Sequence, residues 1–559
     1  MKRKAKETGW IMLYSKFVNE YFDANGHLER FEMKPDIDFN FGYDVVDELG
    51  KTKPDKLAML WVSNDGEEKR FTFGDMMRLS SAAAGFFTDI GIKKGDRVML
   101  VLKRHYQFWI SIVALHKIGA IVVPATHLLT KKDYVYRFNA AGVKAIVCTG
   151  DGEVTSHVDA SLLESPSLKI RIAVGNTPEG WYDFDKKIAE YPEFFARIPT
   201  KNEDPMIMYF TSGTSGYPKA AVHDYTYPIG HIVTAKYWHN VDPDGLHLTI
   251  ADTGWGKAVW GKLYGQWLCE APVFTYDFDK FDGNAVLSMV EKYKITTFCA
   301  PPTIYRFFIK ADMSKFDLSS LKYATIAGEA LNPEVFNKFK EITGISLMEG
   351  FGQTETALTV ANLVGMTPKP GSMGKPTPQY DMIIADENGN KVKPGAVGEI
   401  CLKTDNGRPL GMFIGYFNDK AKTDAVWHDS LYHTGDMAWC DEDGYFWYVG
   451  RTDDLIKSSG YRIGPFEIES VLMEHPAVME CAVTAVPDPI RGQAVKATII
   501  LTKEYKNKAS DELVKEIQNH VKRLTAPYKY PRVVEFVDEL PKTISGKIRR
   551  VQIRNEKAE

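Results

Sequence analysis

The run Thr211-Ser-Gly-Thr-Ser-Gly-Tyr-Pro-Lys219 places four hydroxyl side chains and two glycines in six residues, ahead of a proline and a lysine. A loop of small residues with many N–H and O–H donors and one cation suits a polyphosphate. The apolar segments Met206–Phe210 and Ala220–Val222 flank it, so it reads as a mobile loop between two strands. A solvated Gly/Ser turn has the same composition, and the loop alone does not decide between the two. It is not a Walker A loop, which carries glycine immediately before the lysine, where Pro218 stands.

Four further segments follow in order: Glu349-Gly-Phe-Gly-Gln-Thr-Glu355, Tyr432-His-Thr-Gly-Asp436, Gly450-Arg-Thr-Asp-Asp-Leu-Ile-Lys-Ser-Ser-Gly-Tyr-Arg462 and Pro541-Lys-Thr-Ile-Ser-Gly-Lys547. A carboxylate such as Glu355 at the mouth of a nucleotide site is a natural Mg²⁺ ligand. Glu355 is placed at a strand-to-helix turn, where a helix N-terminus would also favour it. Asp436 has the chemistry to accept from ribose hydroxyls, although a turn aspartate is usually an Asx turn. Lys547, on a Gly/Ser loop, can deliver a cation to charge forming elsewhere; with Arg549 and Arg550 it also reads as a basic tail.

Together with the first loop, this series resembles the adenylate-forming superfamily, and within it the medium-chain acyl-CoA synthetases. The resemblance covers about residues 40–550 and includes Asp252-Thr-Gly-Trp-Gly-Lys257. It implies an acid–thiol ligase using ATP, Mg²⁺ and CoA. A short branched or medium-chain carboxylate attacks ATP to give acyl-AMP and pyrophosphate, and CoA then displaces AMP.

By this resemblance Thr211, Ser212, Gly213, Thr214, Ser215, Gly216 and Lys219 wrap the phosphates; Ser215 and Ala220 depart from the family's commonest Thr and Gly without removing a donor. Thr354 donates to the α-phosphate, Glu355 holds the metal, and Gly328 and Glu329 lie against adenine. Asp436 and Arg451 take the ribose, and Lys547 serves the phosphoryl step. Asp453 is the hinge, and Ser459, Gly460 and Arg462 bind CoA. The acyl pocket falls to Trp255, Gly256, Trp260, Cys299 and Gly352. Acetate-activating relatives have tryptophan at the last position, so glycine there implies room for several methylenes, each worth roughly 0.8 kcal/mol when buried. Lys257 is expected to point to solvent or to CoA. Alternatives are an acetate, propionate or aryl-acid CoA ligase, a stand-alone adenylation enzyme, a luciferase-like oxygenase, or a non-catalytic nucleotide sensor, which should have lost Lys547 or Glu355.

The elements that must position these residues are mostly βα alternation up to about Asp453. Arg97–Leu102, Thr296–Ala300, Tyr323–Ala327 and Ile345–Met348 read as strands, and Asn332-Pro333 opens a helix. Trp109–Ala125 reads as a helix then a strand, interrupted by His116 and Lys117, not as a membrane span. Beyond Asp453, helices at 465–474 and 511–524 sit among short strands. The expected fold is an α/β large N-terminal domain of layered sheets with helices, residues 1–453, plus a small mobile α+β C-terminal domain, residues 454–559.

With 559 residues, 44% hydrophobic and 25% charged, the chain is globular in composition. A net charge of −4 and dispersed basic residues give no case for nucleic acid. The expected partners are small molecules; an oligomer is compatible with the sequence, and stable membrane insertion is not expected. The six cysteines form no C-x-x-C pair, so buried free thiols are expected and a zinc site is not. The N-terminus is basic without an apolar core, and Glu7 and the shortage of serine argue against a transit peptide, so the expectation is a cytoplasmic enzyme.

Overall fold

The computed structural model describes residues 12–35, 38–211, 218–329, 331–459, 461–543 and 547–555. Two large sheets form the first layers. One runs, strand by strand, through Gly415–Tyr416, Lys219–Asp224, Pro205–Thr211, Ile121–Pro124, Arg97–Val101, Ala145–Thr149, Ile170–Val174 and Tyr182–Asp183. The other runs Lys375–Pro376, Leu358–Ala361, Leu347–Gly352, Tyr323–Ile326, Thr297–Ala300, His247–Thr249, Val273–Asp277, Leu57–Ser63 and Glu68–Thr72. Their central strands are parallel and nearly continuous in apolar residues, because both faces are covered.

Alternation along these strands builds three cores. Val98 and Leu100 of one sheet join Met59 and Trp61 of the other in a central core, while Met99 and Val101, and Leu60 and Val62, face two outer ones. The helix Gln107–Ile118 is buried along its whole length and packs into the central core. It ends at Gly119, whose φ of 75° is the left-handed cap glycine tolerates. His116 and Lys117, which interrupt this apolar run in sequence, are satisfied inside: His116 contacts the Tyr264 hydroxyl at 2.8 Å and Lys117 pairs with Asp47 at 2.6 Å. Among the described residues no helix is long and apolar enough to cross a membrane.

A third sheet carries Met382–Ala385, Gly398–Lys403, Leu431–Cys440, Trp427–His428 and Phe446–Arg451. The polar turn around 386–396 connects its first two strands, as its composition implies. A separate sheet follows, built from Ile456–Ser458, Tyr461–Ile463, Val478–Asp488, Gly492–Leu501 and Val533–Phe536. Helices Pro465–Met473 and Asp511–Leu524 bury Ile468, Leu472, Leu513, Ile517 and Val521 against it. This is the expected large α/β domain followed by a smaller α+β one. The six cysteines are free and buried.

Candidate active site

Most of the sequence-predicted residues gather where strands of the first, second and third sheets meet. Strands Pro205–Thr211 and Lys219–Asp224 pair antiparallel with Thr211 opposite Lys219, so the phosphate loop is a hairpin connection. Ser212, Gly213, Thr214, Ser215 and Gly216 lie outside the described residues, as does Gly460. Lys219 reaches the ring of Tyr416, its Nζ 4.9 Å from the centroid. Tyr416 in turn donates its hydroxyl to Glu355 Oε1 at 2.9 Å. Burial raises the Glu355 carboxyl above the usual carboxylate range, while the Tyr416 hydrogen bond and the Lys219 and Arg451 charges pull it back. A half-enclosed carboxylate whose ionised form wants a cation fits a divalent metal.

Glu355 does not open a helix. It sits in the turn between strands Leu347–Gly352 and Leu358–Ala361, which pair antiparallel, so no helix dipole holds it. The turn is pinned instead: Gln353 N donates to Thr356 Oγ1 at 2.9 Å, and the Thr354 carbonyl accepts from His223 Nε2 at 2.7 Å. Burial drops His223 to about 3, which keeps this imidazole neutral. Gly352 also departs from expectation. A Cβ there would meet the Ala357 carbonyl oxygen at 2.6 Å, so glycine is required by the hairpin's own close approach, whatever the acyl chain needs.

Asp436 is buried within strand Leu431–Cys440 and not in a turn as expected: the strand runs on through Thr434-Gly435, where the pairing with Gly398–Lys403 bulges. Its Oδ2 accepts from Gln353 Nε2 and from Arg451 Nη1, the latter at 3.3 Å, and its Oδ1 accepts from the Tyr448 hydroxyl at 3.1 Å. Arg451 lies opposite Asp436 in the strand register and crosses Gly435, where a Cβ would meet Arg451 Nη2 at 2.8 Å. Gly435, at φ 70°, is therefore fixed twice over. Gln353 ties the two motifs together: it also donates to the Thr434 carbonyl and accepts from the Tyr432 hydroxyl, at 2.8 Å each. Burial raises the Asp436 carboxyl, and Arg451, Gln353, Tyr448 and Lys547 draw it down. The exposed Lys547, from the last sheet's domain, thus stands within electrostatic reach of Asp436.

Gly328 and Glu329 are exposed just past strand Tyr323–Ile326, with Gly328 at φ 112°. Beside them Glu349 is buried, accepts from Leu331 N at 3.2 Å and is pushed up to about 8 by loss of solvent. Lys257 is not directed to solvent. It donates to the Ala327 carbonyl at 2.8 Å, and burial lowers its pKa, with Cys299 and Glu329 opposing and Lys547 adding to the fall. Leaving Lys257 in water would leave that carbonyl at the strand end without this donor.

Of the acyl residues, Trp255 precedes the helix Gly256–Lys262, and Cys299 lies buried on strand Thr297–Ala300. A Cβ on Gly256 would make ordinary contact with Tyr209 at 3.8 Å and Trp260 at 3.9 Å, so this glycine faces both rings. Trp260 stacks near His239, with ring centroids 5.9 Å apart and planes 18° off parallel. His231 also stacks on Trp260, centroids 6.4 Å apart, and His231 and His239 each have a buried Nε2 with no hydrogen-bond partner among the described residues.

The residues expected to meet CoA stand apart. Ser459, at φ 51°, is exposed in the turn between Ile456–Ser458 and Tyr461–Ile463, and Arg462 pairs with Glu387 of the third sheet's turn. Asp453 is exposed; its carbonyl accepts from Arg554 Nη1 at 2.6 Å. Sequence reasoning passed over Gln353, Tyr416 and Tyr448 as site residues. Gln353 was readable from its place in the motif; the two tyrosines carry no sequence signal apart from their strands.

Residues 46–417 match the AMP-binding enzyme family, and residues 467–547 match the AMP-binding enzyme C-terminal domain. This chain belongs to the AMP-binding enzymes, and among them to the acyl-coenzyme A synthetases. It is 42% identical over 524 residues to acyl-coenzyme A synthetase ACSM3, mitochondrial, of Pongo abelii, covering 92% of this chain and 89% of that one. It is 43% identical over 552 residues to ACSM4, mitochondrial, of Mus musculus, covering 97% and 94%. The anthranilate CoA ligase AuaEII in complex with anthranoyl-AMP superposes with a TM-score of 0.85 at 28% identity, over 93% of this chain and 98% of that one. A benzoate CoA ligase from Burkholderia xenovorans LB400 gives 0.80 at 26% identity, over 92% and 100%. The cytoplasmic expectation is overturned: the ACSM3, ACSM4 and ACSM5 relatives are mitochondrial proteins. Use of ATP and CoA follows from the family.

Proposed function

We propose that this synthetase activates a short branched or medium-chain carboxylate as acyl-AMP and then transfers the acyl group to CoA. The observation that carries this reading is the meeting of the Gln353–Glu355 turn with Asp436 and Arg451 of the third sheet, joined through Gln353 and with Lys547 of the smaller domain within electrostatic reach. In the first step the substrate carboxylate attacks the α-phosphorus of ATP and pyrophosphate leaves. Thr211, Lys219 and the loop between them hold the outer phosphates, and Thr354 holds the α-phosphate. Lys547 offsets the charge that gathers on the phosphoryl oxygens. Glu355 would hold Mg²⁺, which neutralises phosphate charge when bound. Asp436 and Arg451 orient the ribose, with Gly328 and Glu329 beside adenine.

In the second step the CoA thiol attacks the acyl carbon and AMP leaves. Both nucleophiles belong to substrates, so the protein's part is positioning, electrostatics and exclusion of water. We place the domain boundary at 453/454, between strand Phe446–Arg451 of the third sheet and strand Ile456–Ser458 of the last, with Asp453 as the hinge. Ser459, Gly460 and Arg462 are proposed to meet CoA after rotation. Trp255, Gly256, Trp260 and Cys299 are proposed to line the acyl pocket, whose aromatic wall favours an apolar tail. The test is a panel of linear, branched and aromatic acids scored for AMP formation with and without CoA. Medium or short branched acids should give CoA-dependent AMP; pyrophosphate release that ignores the acid would refute the reading.

A further inference from the structure

Away from the nucleotide cluster, three side chains of different ligand chemistry stand together on the third sheet. Glu399 and Cys401 are two apart on strand Gly398–Lys403 and share a face. His433, on Leu431–Cys440, is paired with Cys401 in the register. His433 Nδ1 lies 2.9 Å from Glu399 Oε2 and 3.7 Å from Cys401 Sγ, and all three ligand atoms lie within 4.8 Å of one another. A tetrahedral zinc ion with bonds of about 2.0–2.3 Å holds neighbouring N, O and S ligands roughly 3.3–3.6 Å apart. Around His433 Nδ1, closing onto such an ion asks for shifts of a few tenths of an ångström, and the Glu399–Cys401 pair closes by at most about 1.5 Å.

The surroundings favour it. Glu399 Oε1 accepts from Gly435 N at 2.8 Å, which orients the carboxylate and leaves Oε2 turned to the trio. The His428 ring stacks on His433 with centroids 4.0 Å apart and planes 13° from parallel, which fixes the imidazole plane. Cys401 is buried, while the Glu399 and His433 side chains are 23% and 18% exposed, so the trio opens on one side for ion entry and for a water. One thiol, one imidazole and one carboxylate suit zinc and not Mg²⁺ or Ca²⁺, which take oxygen ligands. Among the described residues no other three His, Cys, Asp or Glu are so grouped. With a single cysteine in the set, cysteine spacing carries no trace of it.

We propose that Glu399, Cys401 and His433 form a zinc site with one water as fourth ligand, near Asp436 in the third sheet. As the S–Zn bond forms, the Cys401 thiol proton passes to solvent; His433 gives up the Nδ1 proton it shares with Glu399 Oε2 and takes one on Nε2, which is buried without a hydrogen-bond partner among the described residues. The bland alternative is a Glu399–His433 ion pair next to an inert thiol. The experiment strips the full chain with a chelator and reloads it with Zn²⁺ or Co²⁺. The site predicts one zinc per chain, one sulfur in the zinc shell by X-ray absorption of the wild-type protein, and a thiolate-to-cobalt absorption band. Cys401→Ser should lose the band and at least tenfold in zinc affinity; Glu399→Gln should keep the band and weaken binding. A zinc shell with no sulfur in the wild type, or a band that survives in Cys401→Ser, overturns the proposal. The wild-type spectrum decides even where the serine variant does not fold.

Discussion

Two lysines bracket the reaction centre, and their surroundings assign them different work. Lys257 is half-buried with its ammonium on the Ala327 carbonyl, whereas Lys547 is exposed on a loop and comes within reach of Asp436 from the other domain. Lys547→Ala should therefore lose adenylation by several orders of magnitude while still converting supplied acyl-AMP to acyl-CoA; equal loss in both half-reactions would make the lysine structural. Glu349 gives a pH test. Its folded pKa of about 8 lies above the ordinary carboxylate value, so the native state holds a proton that the unfolded chain has released. Stability then falls as pH rises from the ordinary carboxylate range towards 8, by a few kcal/mol at most (~1.4 kcal/mol per pH unit). Glu349→Gln, which keeps an acceptor for Leu331 N, should match the wild type in melting temperature near pH 4.5 and exceed it increasingly up to pH 8. Parallel melting curves across that range would show that Glu349 ionises normally.

At the scale of elements, the hairpin Leu347–Ala361 decides what acyl selectivity can be engineered. Its backbone crowds Gly352, so Gly352→Trp should open the hairpin and lower the melting temperature before it changes chain-length preference. Gly256 is the better position, because a side chain there grows towards Tyr209 and Trp260 without meeting backbone. Gly256→Leu should shift kcat/KM towards acetate and propionate across a C2–C12 panel, and an unchanged profile in a folded variant would place the tail elsewhere. These two glycines also mark what is legible in sequence. Local rules read well: Asn332 caps the helix Pro333–Thr343, and the helix Asp511–Leu524 falls where its residues place it. Motif spacing brought Thr211 opposite Lys219, and Asp436 beside Arg451. What failed needed neighbours distant in sequence. Glu355 faces a strand and not a helix because Leu358–Ala361 folds back on Leu347–Gly352, and Lys257 turns inward because Ala327 offers its carbonyl. Tyr416 and Tyr448 reach the site only through sheet pairing.

For the whole molecule the question is how one cleft serves two half-reactions. The structure has Lys547 near Asp436, while the Ser459 turn is exposed and Arg462 pairs with Glu387. On the proposed reading that arrangement suits the phosphoryl step and leaves Ser459 and Arg462 away from the cleft, so the smaller domain would turn before the thiol attacks. Near the pivot the domains meet through Arg554 on the Asp453 carbonyl, Asn332 Nδ2 on the Ser470 carbonyl at 3.2 Å, the Arg462–Glu387 pair and one ring contact, Tyr448 with Phe466, centroids 6.0 Å apart. The polar contacts exchange for water at little cost, the Tyr448–Phe466 contact is the apolar one to be given up, and the apolar cores of the two domains stay intact. Rotation then requires a few backbone positions to absorb the change in φ and ψ. Asp453 lies between the two sheets and its side chain makes only a long contact with Arg451, at 3.8 Å. Proline there fixes φ near −65°, so Asp453→Pro should hold the domain in the phosphoryl arrangement. We expect pyrophosphate release from ATP and acid to persist and acyl-CoA formation from supplied acyl-AMP to fall at least a hundredfold. A variant that loses both steps equally, or neither, would place the pivot at another residue.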